Sequence, residues 1–223
     1  MAKEIERKFI FKGGVQAAKD FLDKQEAISP NGVKEVEINQ YYFLSQLVVV
    51  SFDFLSYEWK IFFNEQNKKL SIPALEEEKE QIVDLLSGNL LANLVDIKRS
   101  SFRLRKSDEQ WIFTAKFNED DEFEYEINLD SDIAEYSFKN LPPVFKQRFK
   151  MKFSELKTDL DFFKSNASKI DHLLEFEFPS YKDAKSFNPA HYGLEVIEVS
   201  GDSRYKNLFI ALANYNEASA GVV

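Results

Sequence analysis

Charged and apolar side chains alternate with a period of two at the start of the chain. Glu4, Glu6 and Lys8 occupy one parity, and Ile5 and Phe9 occupy the other. A period of two places successive side chains on opposite faces of a β-strand. The segment therefore predicts a strand with one charged face, which by itself is typical of a face in contact with water.

The same alternation recurs in the second half of the chain. Basic side chains alternate with apolar ones in some segments, and acidic side chains do so in others. The basic positions are Arg103, Arg105, Lys116, Lys146 and Arg148, and the acidic positions are Glu124, Glu126, Asp161, Glu175 and Glu177. About eight strands of this kind predict an α+β fold, in which an antiparallel sheet closes into an eight-stranded barrel flanked by helices.

Helical spacing of apolar residues marks three segments, at residues 15–26, 74–86 and 203–214. Apolar residues that recur every three or four positions form one face of a helix. If the charged faces of the strands point into the barrel, their apolar faces point outward. The helices are then needed to cover those apolar faces.

Residues 44–99 differ in character from the charged strands around them. An apolar and aromatic run over residues 47–63 predicts one or two buried strands, and a helical segment follows it. We interpret residues 44–99 as an insertion of mixed strand and helix within a single domain that spans residues 1–223. The insertion is expected to pack on the barrel or to form a homodimer surface, and a lid over the site is the less favoured alternative.

Composition excludes several classes of function. The net charge of −9 and the pI of about 5.0 disfavour general nucleic-acid binding. The lack of Cys excludes disulfides, zinc–thiolate sites and thiol nucleophiles. No apolar run approaches the roughly 20 residues of a transmembrane helix, and charges interrupt the chain start where a signal peptide needs an apolar run. We therefore expect a cytoplasmic protein without a membrane or nucleic-acid partner.

The two signs of charge segregate by strand, which favours an interior position for the charged faces. A face in contact with water would mix both signs within each strand, whereas here basic and acidic residues occupy mostly different strands. Closely spaced carboxylates are oxygen ligands for Mg²⁺ or Mn²⁺, and converging arginines and lysines bind phosphate oxygens. Together they predict a cradle for a metal-bound polyphosphate, in which a metal-activated water attacks phosphorus in line.

Nine short motifs occur in the same order as in a known family. They are Glu4-Ile5-Glu6-Arg7-Lys8, Gln40-Tyr41-Tyr42, Phe102-Arg103-Leu104-Arg105, Phe113-Thr114-Ala115-Lys116, Glu124-Tyr125-Glu126, Lys146-Gln147-Arg148, Asp161, Glu175-Phe176-Glu177, and Glu198-Val199-Ser200 ahead of Arg204-Tyr205-Lys206-Asn207. The first resembles the ExExK signature of the CYTH domain, also called the triphosphate tunnel metalloenzyme superfamily. The matches cover nearly the whole chain outside residues 44–99.

The resemblance implies an eight-stranded antiparallel tunnel, dependence on a divalent metal and a substrate that carries a triphosphate. It assigns Glu4, Glu6 and Lys8 to catalysis. Two Mg²⁺ or Mn²⁺ ions would be held by Glu4, Glu6, Asp161, Glu175 and Glu177. Phosphates would be bound by Lys8, Arg103, Arg105, Lys116, Lys146 and Arg148, with Glu124, Glu126 and Glu198 as supporting acidic residues.

Two departures from the family pattern concern single residues. Family members often carry an arginine just before the acidic pair that matches Glu124 and Glu126, whereas Glu122 stands nearby here. The usual threonine after Glu-Val is Ser200 in this chain, and serine keeps the hydroxyl.

The leading functional hypothesis is metal-dependent hydrolysis of a small-molecule triphosphate, either inorganic tripolyphosphate or a nucleoside or organic triphosphate. The first motif, with the Phe that follows it, resembles compact bacterial inorganic triphosphatases more closely than cyclases. The first alternative is a class IV adenylyl cyclase, which would form cyclic AMP and pyrophosphate from ATP. The second alternative is a non-enzymatic module that binds polyphosphate or a nucleotide.

Overall fold

The structure is a computed structural model that describes residues 5–87, 93–97, 100–108, 110–117, 123–129, 138–164 and 167–220. Contacts between residues divide the chain into two compact units. The terminal unit comprises Ala2–Asn39 and Pro143–Val223, and the central unit comprises Gln40–Pro142. Each unit has its own core of buried apolar side chains.

Twelve strands and four helices lie within the described residues. In chain order they are β1 (Ile5–Phe11), α1 (Gly14–Ile28), β2 (Lys34–Tyr42), β3 (Val48–Asp53), β4 (Glu58–Phe63), β5 (Lys68–Pro73), α2 (Lys79–Leu86), β6 (Ser100–Ser107), β7 (Gln110–Phe117), β8 (Phe123–Leu129), β9 (Pro143–Phe153), β10 (Leu156–Phe163), β11 (His172–Phe178), α3 (Tyr181–Ser186), β12 (Val196–Glu198) and α4 (Asn207–Ala220). Short 3₁₀ turns lie at Asn64–Gln66, Glu76–Glu78, Leu94–Asp96, Pro189–Tyr192 and Ser203–Tyr205.

Nine of the strands are hydrogen-bonded in the order β12-β1-β11-β10-β9-β2-β6-β7-β8, and β3-β4-β5 form a second sheet. Strand β2 contributes residues 34–39 to the terminal unit and residues 40–42 to the central unit. In the terminal unit, β1 pairs antiparallel with β11 and β12, and β10 pairs antiparallel with β9 and β11. In the central unit, β7 pairs antiparallel with β6 and β8, and β4 does so with β3 and β5.

The alternation of side chains separates the two faces of the strands in the terminal unit. Strands β1 and β11 pair so that Glu6 lies opposite Glu177 and Lys8 lies opposite Glu175. The apolar side chains of the other parity are buried with the apolar stripe of α1, which includes Phe21. Burial of this apolar stripe stabilises α1, because a short amphipathic helix gains most of its stability from packing.

The core of the central unit surrounds Trp59 of β4. Its ring is fully buried and contacts Phe102, Phe113, Phe117 and Tyr125 from β6, β7 and β8. The inserted segment therefore packs on the strands that follow it in the chain, within the same unit.

The α+β class is confirmed, whereas the closed eight-stranded barrel is not shown. The sheet has nine strands, ends at β12 and β8, and has no pairing between these two strands among the described residues. The edge strand β12 is only three residues long and pairs with residues 9–11 of β1. Closure into a barrel stays a prediction.

A helix lies in each of the three segments predicted to be helical, but its first and last residues differ from the predicted ones. Residues 15–26 lie within α1, which confirms the first helix. The segment at 74–86 becomes α-helical only at Lys79, because a 3₁₀ turn occupies Glu76–Glu78 after the third inserted strand. The last helix begins at Asn207 and runs to Ala220, after a 3₁₀ turn at Ser203–Tyr205. None of the helices that the structure describes has the length and apolar character needed to cross a membrane.

Candidate functional site

Strands β1, β11, β10 and β9 present charged side chains on one face of the terminal unit, which we call the acid–base face. Glu175 of β11 lies between Lys8 of β1 and Asp159 of β10, and Asp161 lies opposite Arg148 of β9. We use this name for Glu6, Lys8, Lys146, Arg148, Asp159, Asp161, Glu175 and Glu177; Lys150, Lys152 and Lys157 lie on the same side of β9 and β10. The pairing register brings together, within one unit, residues that are far apart in the sequence.

Glu175 is the central anion of the acid–base face. Its Oε1 accepts a hydrogen bond from Lys8 Nζ at 2.8 Å, and its Oε2 accepts one from Arg148 Nη2 at 2.8 Å. Burial alone would raise the pKa of this carboxyl, but the charges of Lys8, Arg148 and Lys146 lower that pKa well below its usual range. Glu175 is therefore a fixed anion that holds two cations in place.

Lys8 lies between two carboxylates. Its Nζ is 2.8 Å from Glu175 Oε1 and 2.9 Å from Glu6 Oε1. Burial opposes the charged ammonium, yet the charges of Glu175 and Glu6 raise the pKa of Lys8 above its ordinary value. Lys8 is thus a permanent cation, which suits a group that contacts phosphate oxygens.

Asp161 is enclosed by two cations of β9. Lys146 Nζ donates to Oδ2 at 2.6 Å, while Arg148 donates to Oδ1 from Nε at 2.6 Å and to Oδ2 from Nη2 at 2.7 Å. Asp161 is 0% exposed and Lys146 is 1% exposed. Burial and the charge of Arg148 lower the pKa of Lys146 to about 8, against the opposite effect of Asp161 and Glu175. These three hydrogen bonds occupy most of the acceptor sites of the Asp161 carboxylate, so ligation of a metal would compete with them.

Asp159 belongs to the acid–base face, although the sequence assigns it no role. It lies opposite Glu175 on β11 and Lys150 on β9, and it accepts a hydrogen bond from Arg148 Nη1. Burial raises the pKa of Asp159; Arg148 opposes this shift, whereas Asp161 and Glu175 reinforce it. The sequence signal for Asp159 is its parity with Asp161 on β10.

The donor chemistry of the acid–base face fits a divalent cation beside Glu6. Glu6 and Glu177 lie directly opposite each other on β1 and β11, and carboxylate oxygens are the donors that Mg²⁺ and Mn²⁺ prefer. Glu177 also accepts a hydrogen bond from Lys157 Nζ at 3.0 Å. Within the part of the chain that the structure describes, no group of three or more histidine, aspartate or glutamate side chains has the geometry to hold a metal ion. Glu4, which the sequence assigns to the metal, lies outside the described residues.

The central unit carries a second charged face on β6, β7 and β8, which we call the arginine face. Arg103 Nη2 lies 3.3 Å from Glu124 Oε1, and Arg105 Nη2 lies 3.2 Å from Glu126 Oε1. Lys116 Nζ lies 2.6 Å from Glu124 Oε2. The arginine face consists of Arg103, Arg105, Thr114, Lys116, Glu124 and Glu126.

Two hydroxyl groups complete the arginine face. Thr114 Oγ1 donates to Glu126 Oε1 at 2.9 Å, and Tyr42 Oη accepts from Arg103 Nη1 at 3.4 Å. Burial alone would raise the pKa of Glu126, but Arg105 and Arg103 lower it. The sequence motifs contain Tyr42 and Thr114, but only the structure shows that they contact the charged residues.

Glu198 lies on the other side of β1. It is opposite Phe9 in the pairing of β12 with β1, and it forms a bidentate pair with Arg7, in which Nε–Oε1 is 2.8 Å and Nη2–Oε2 is 2.7 Å. Arg7 Nη1 also donates to the carbonyls of Ala184 and Phe187 at 2.7 and 2.8 Å. Support from Glu198 to the acid–base face would therefore run through the backbone of β1.

Comparisons with known proteins return structural neighbours alone, because no family model and no curated protein matches the chain. The inorganic triphosphatase NE1496 aligns over 96% of this chain and 95% of its own, with 23% identity and a TM-score of 0.46. A conserved hypothetical protein from Pyrococcus furiosus aligns over 82% and 83%, with 16% identity and a TM-score of 0.42. A putative adenylate cyclase from Vibrio parahaemolyticus aligns over 85% and 81%, with 14% identity and a TM-score of 0.40.

The identities of these neighbours do not exceed 23% and their TM-scores do not exceed 0.46. The functional argument therefore rests on the residues of this chain.

Proposed function

We propose that this protein is a metal-dependent phosphohydrolase that cleaves a triphosphate. The observation that carries the proposal is the contact of Lys8 and Arg148 with separate oxygens of Glu175. A phosphate chain presents oxygen acceptors of the same kind at a higher charge density. It can compete with Glu175 for cations that are already in place.

The three cations of the acid–base face differ in their access to a substrate. The side chains of Lys8 and Arg148 are 16% and 13% exposed, whereas that of Lys146 is 1% exposed. We assign direct phosphate contacts to Lys8 and Arg148. Lys146 contributes through the electrostatic potential and by holding Asp161, because its ammonium is enclosed.

Arg103, Arg105 and Lys116 of the arginine face are assigned to phosphate binding as well. The two arginines lie 3.3 and 3.2 Å from their carboxylate partners, which is longer than the 2.6–2.8 Å contacts of Arg148 in the acid–base face. A longer charged contact is weaker, so a phosphate oxygen replaces it at a smaller cost.

Glu6 and Glu177, together with Glu4, would hold a divalent cation such as Mg²⁺ or Mn²⁺. When bound, such a cation neutralises charge on the phosphate chain and lowers the pKa of a water molecule. The chain itself supplies the carboxylate oxygens and keeps the charged Lys8 beside them at 2.9 Å from Glu6. Glu175 would become a further ligand of this cation if it exchanged its hydrogen bond with Lys8 or with Arg148 for a bond to the metal.

A substrate panel tests this proposal. The purified protein is incubated with tripolyphosphate, ATP or thiamine triphosphate, each with Mg²⁺, with Mn²⁺ or with EDTA, and the products are separated. Release of orthophosphate that requires the metal is the expected result. Cyclic AMP and pyrophosphate from ATP would instead assign a cyclase, and tight binding without turnover under any condition would assign a binding module.

A further inference from the structure

We propose that Ser200 is a positioning residue for Lys8, and that Glu198 and Arg7 hold Ser200 in its orientation. This inference rests on the proposed function because it concerns the placement of the Lys8 ammonium. The contacts that carry it lie entirely within the terminal unit.

The segment that follows β12 binds both backbone groups of Lys8. Val199 N–H donates to the Lys8 carbonyl at 2.8 Å, and Lys8 N–H donates to Ser200 Oγ at 3.0 Å. In a regular antiparallel ladder two opposed residues exchange both hydrogen bonds, so the Val199 carbonyl would accept the Lys8 N–H. That carbonyl instead accepts Asp202 N–H at 3.0 Å in a turn. The Ser200 hydroxyl takes the place of a strand carbonyl.

Glu198 sets the orientation of this hydroxyl. Ser200 Oγ donates its proton to Glu198 Oε1 at 2.9 Å, which leaves its lone pairs for the Lys8 N–H. Glu198 accepts hydrogen bonds from Nε and Nη2 of Arg7, whose guanidinium carbon lies 5.1 Å from the centre of the Phe9 ring. Hydrogen bonds from Arg7 and Ser200 lower the pKa of Glu198, so it remains an acceptor at neutral pH.

The position of the Lys8 side chain depends on this backbone anchor. Strand β11 pairs with one edge of β1 along Ile5–Phe9, and Ser200 and Val199 hold the other edge at Lys8. The ammonium consequently stays within 2.9 Å of Glu6 and Glu175. Loss of the hydroxyl leaves a partly buried N–H without its acceptor, and a displacement of about 1 Å at a reacting centre can cost about 10²-fold in rate.

The experiment compares Ser200→Ala, Ser200→Thr and the control Ser186→Ala in steady-state hydrolysis of tripolyphosphate with Mg²⁺. Ser186 is a suitable control because its hydroxyl bonds the Asp183 carbonyl in the exposed part of α3. We expect Ser200→Ala to lower kcat at least about tenfold and to change KM less than about twofold, because placement rather than binding is lost. Ser200→Thr keeps the hydroxyl and should retain most of the turnover, and Ser186→Ala should match the unchanged protein.

Amide hydrogen exchange at Lys8 gives a readout that does not depend on turnover. Exchange at Lys8 should accelerate in Ser200→Ala and stay slow in Ser200→Thr. Unchanged kcat and unchanged Lys8 protection in Ser200→Ala would overturn the inference, as would a folded Ser200→Thr protein as impaired as Ser200→Ala. If the unchanged protein hydrolyses no triphosphate, the proposed function fails, and exchange at Lys8 alone decides whether Ser200 positions this residue.

A second variant decides the question if Ser200→Ala does not fold. Glu198→Gln keeps an oxygen acceptor for Ser200 and removes the charge that Arg7 binds. It should lower kcat in the same way but to a smaller extent, with faster exchange at Lys8. A folded Glu198→Gln protein with normal kcat and normal Lys8 protection would contradict the inference.

Discussion

In the terminal unit Lys146 and Asp161 meet at 2.6 Å with almost no exposed surface, whereas in the central unit Arg103 and Glu124 meet at 3.3 Å with 12% and 24% of their side chains exposed. A basic and an acidic side chain are therefore held together to different degrees in the two units. Buried charges are tolerated only when each has its partner, whereas partly exposed pairs contribute little to stability and exchange readily. The Lys146–Asp161 pair of the acid–base face is therefore preorganised, whereas the Arg103–Glu124 pair of the arginine face can exchange with a ligand.

The number of carboxylates in the two faces differs as well. The eight residues of the acid–base face comprise three cations and five carboxylates, and the arginine face has three cations and two carboxylates. Lys150, Lys152 and Lys157 share the side of β9 and β10 that carries the acid–base face, so that side as a whole has no excess of negative charge. The two faces therefore differ in their number of carboxylates rather than in the sign of their charge, and the larger number of carboxylates suits a metal ion.

The largest expected effect is the loss of stability on replacing Asp161. Asp161→Asn leaves Lys146 and Arg148 buried beside each other without their shared anion, and breaking a buried pair costs about 3–5 kcal/mol. Glu124→Gln is the matched change in the arginine face and should cost about 1 kcal/mol or less. The midpoints of urea unfolding measure both changes, and equal losses would refute the contrast between the two faces.

The next effect concerns the metal. Glu6→Gln should lower kcat by about a hundredfold or more and should raise the Mg²⁺ concentration needed for half-maximal rate, because a neutral amide is a poorer ligand for a hard cation. The control Glu37→Gln changes an exposed carboxylate that pairs with Lys164 at 2.8 Å. Turnover and metal titration are measured for both variants, and a normal metal response in Glu6→Gln would remove Glu6 from the metal site.

A smaller effect is expected for the arginine face. Arg103→Ala should raise KM for tripolyphosphate roughly tenfold or more, because a hydrogen bond to a charged group contributes about 1.5–3 kcal/mol. Arg103→Lys keeps the charge but lacks the planar guanidinium. Its KM for tripolyphosphate should lie between those of the unchanged protein and Arg103→Ala. Unchanged KM and kcat in Arg103→Ala would show that this arginine does not bind the substrate.

The smallest effect is the order in which carboxyls titrate. Glu175 and Glu126 both have a pKa below the ordinary 4.5, and Glu175 is shifted further by its hydrogen-bonded cations. Each contributes stability that is present above pH 4.5 and is lost as the pH falls through its folded pKa. NMR of the side-chain carboxyl carbons should therefore show Glu126 protonated at a higher pH than Glu175. The reverse order would contradict the tighter pairing of the acid–base face.

The faces of the strands could be predicted from the sequence because parity alone determines them. In β9, Lys146 and Arg148 alternate with Phe149 and Met151, which the structure buries in the apolar core of the terminal unit. Arg7 likewise belongs to the parity of Phe9, and it binds Glu198 on that side. Such assignments need no knowledge of register.

Contacts that depend on register or on irregular backbone could not be predicted. The hydrogen bond from Lys8 N–H to Ser200 depends on a turn that diverts the Val199 carbonyl. The enclosure of Asp161 depends on its position opposite Arg148, which the sequence does not specify. The third inserted strand, Lys68–Pro73, could not be predicted either, because two lysines and a proline obscure its alternation.

The discontinuity of the terminal unit has a consequence for folding during synthesis. Lys8 and its partner Glu175 are separated by 167 residues, while the central unit is one continuous segment of chain. On a ribosome, β1 emerges before β11 and must wait for it, whereas the central unit can close its contacts earlier. The charges of Glu6, Arg7 and Lys8 help protect this waiting strand, because charged edges resist pairing with other chains.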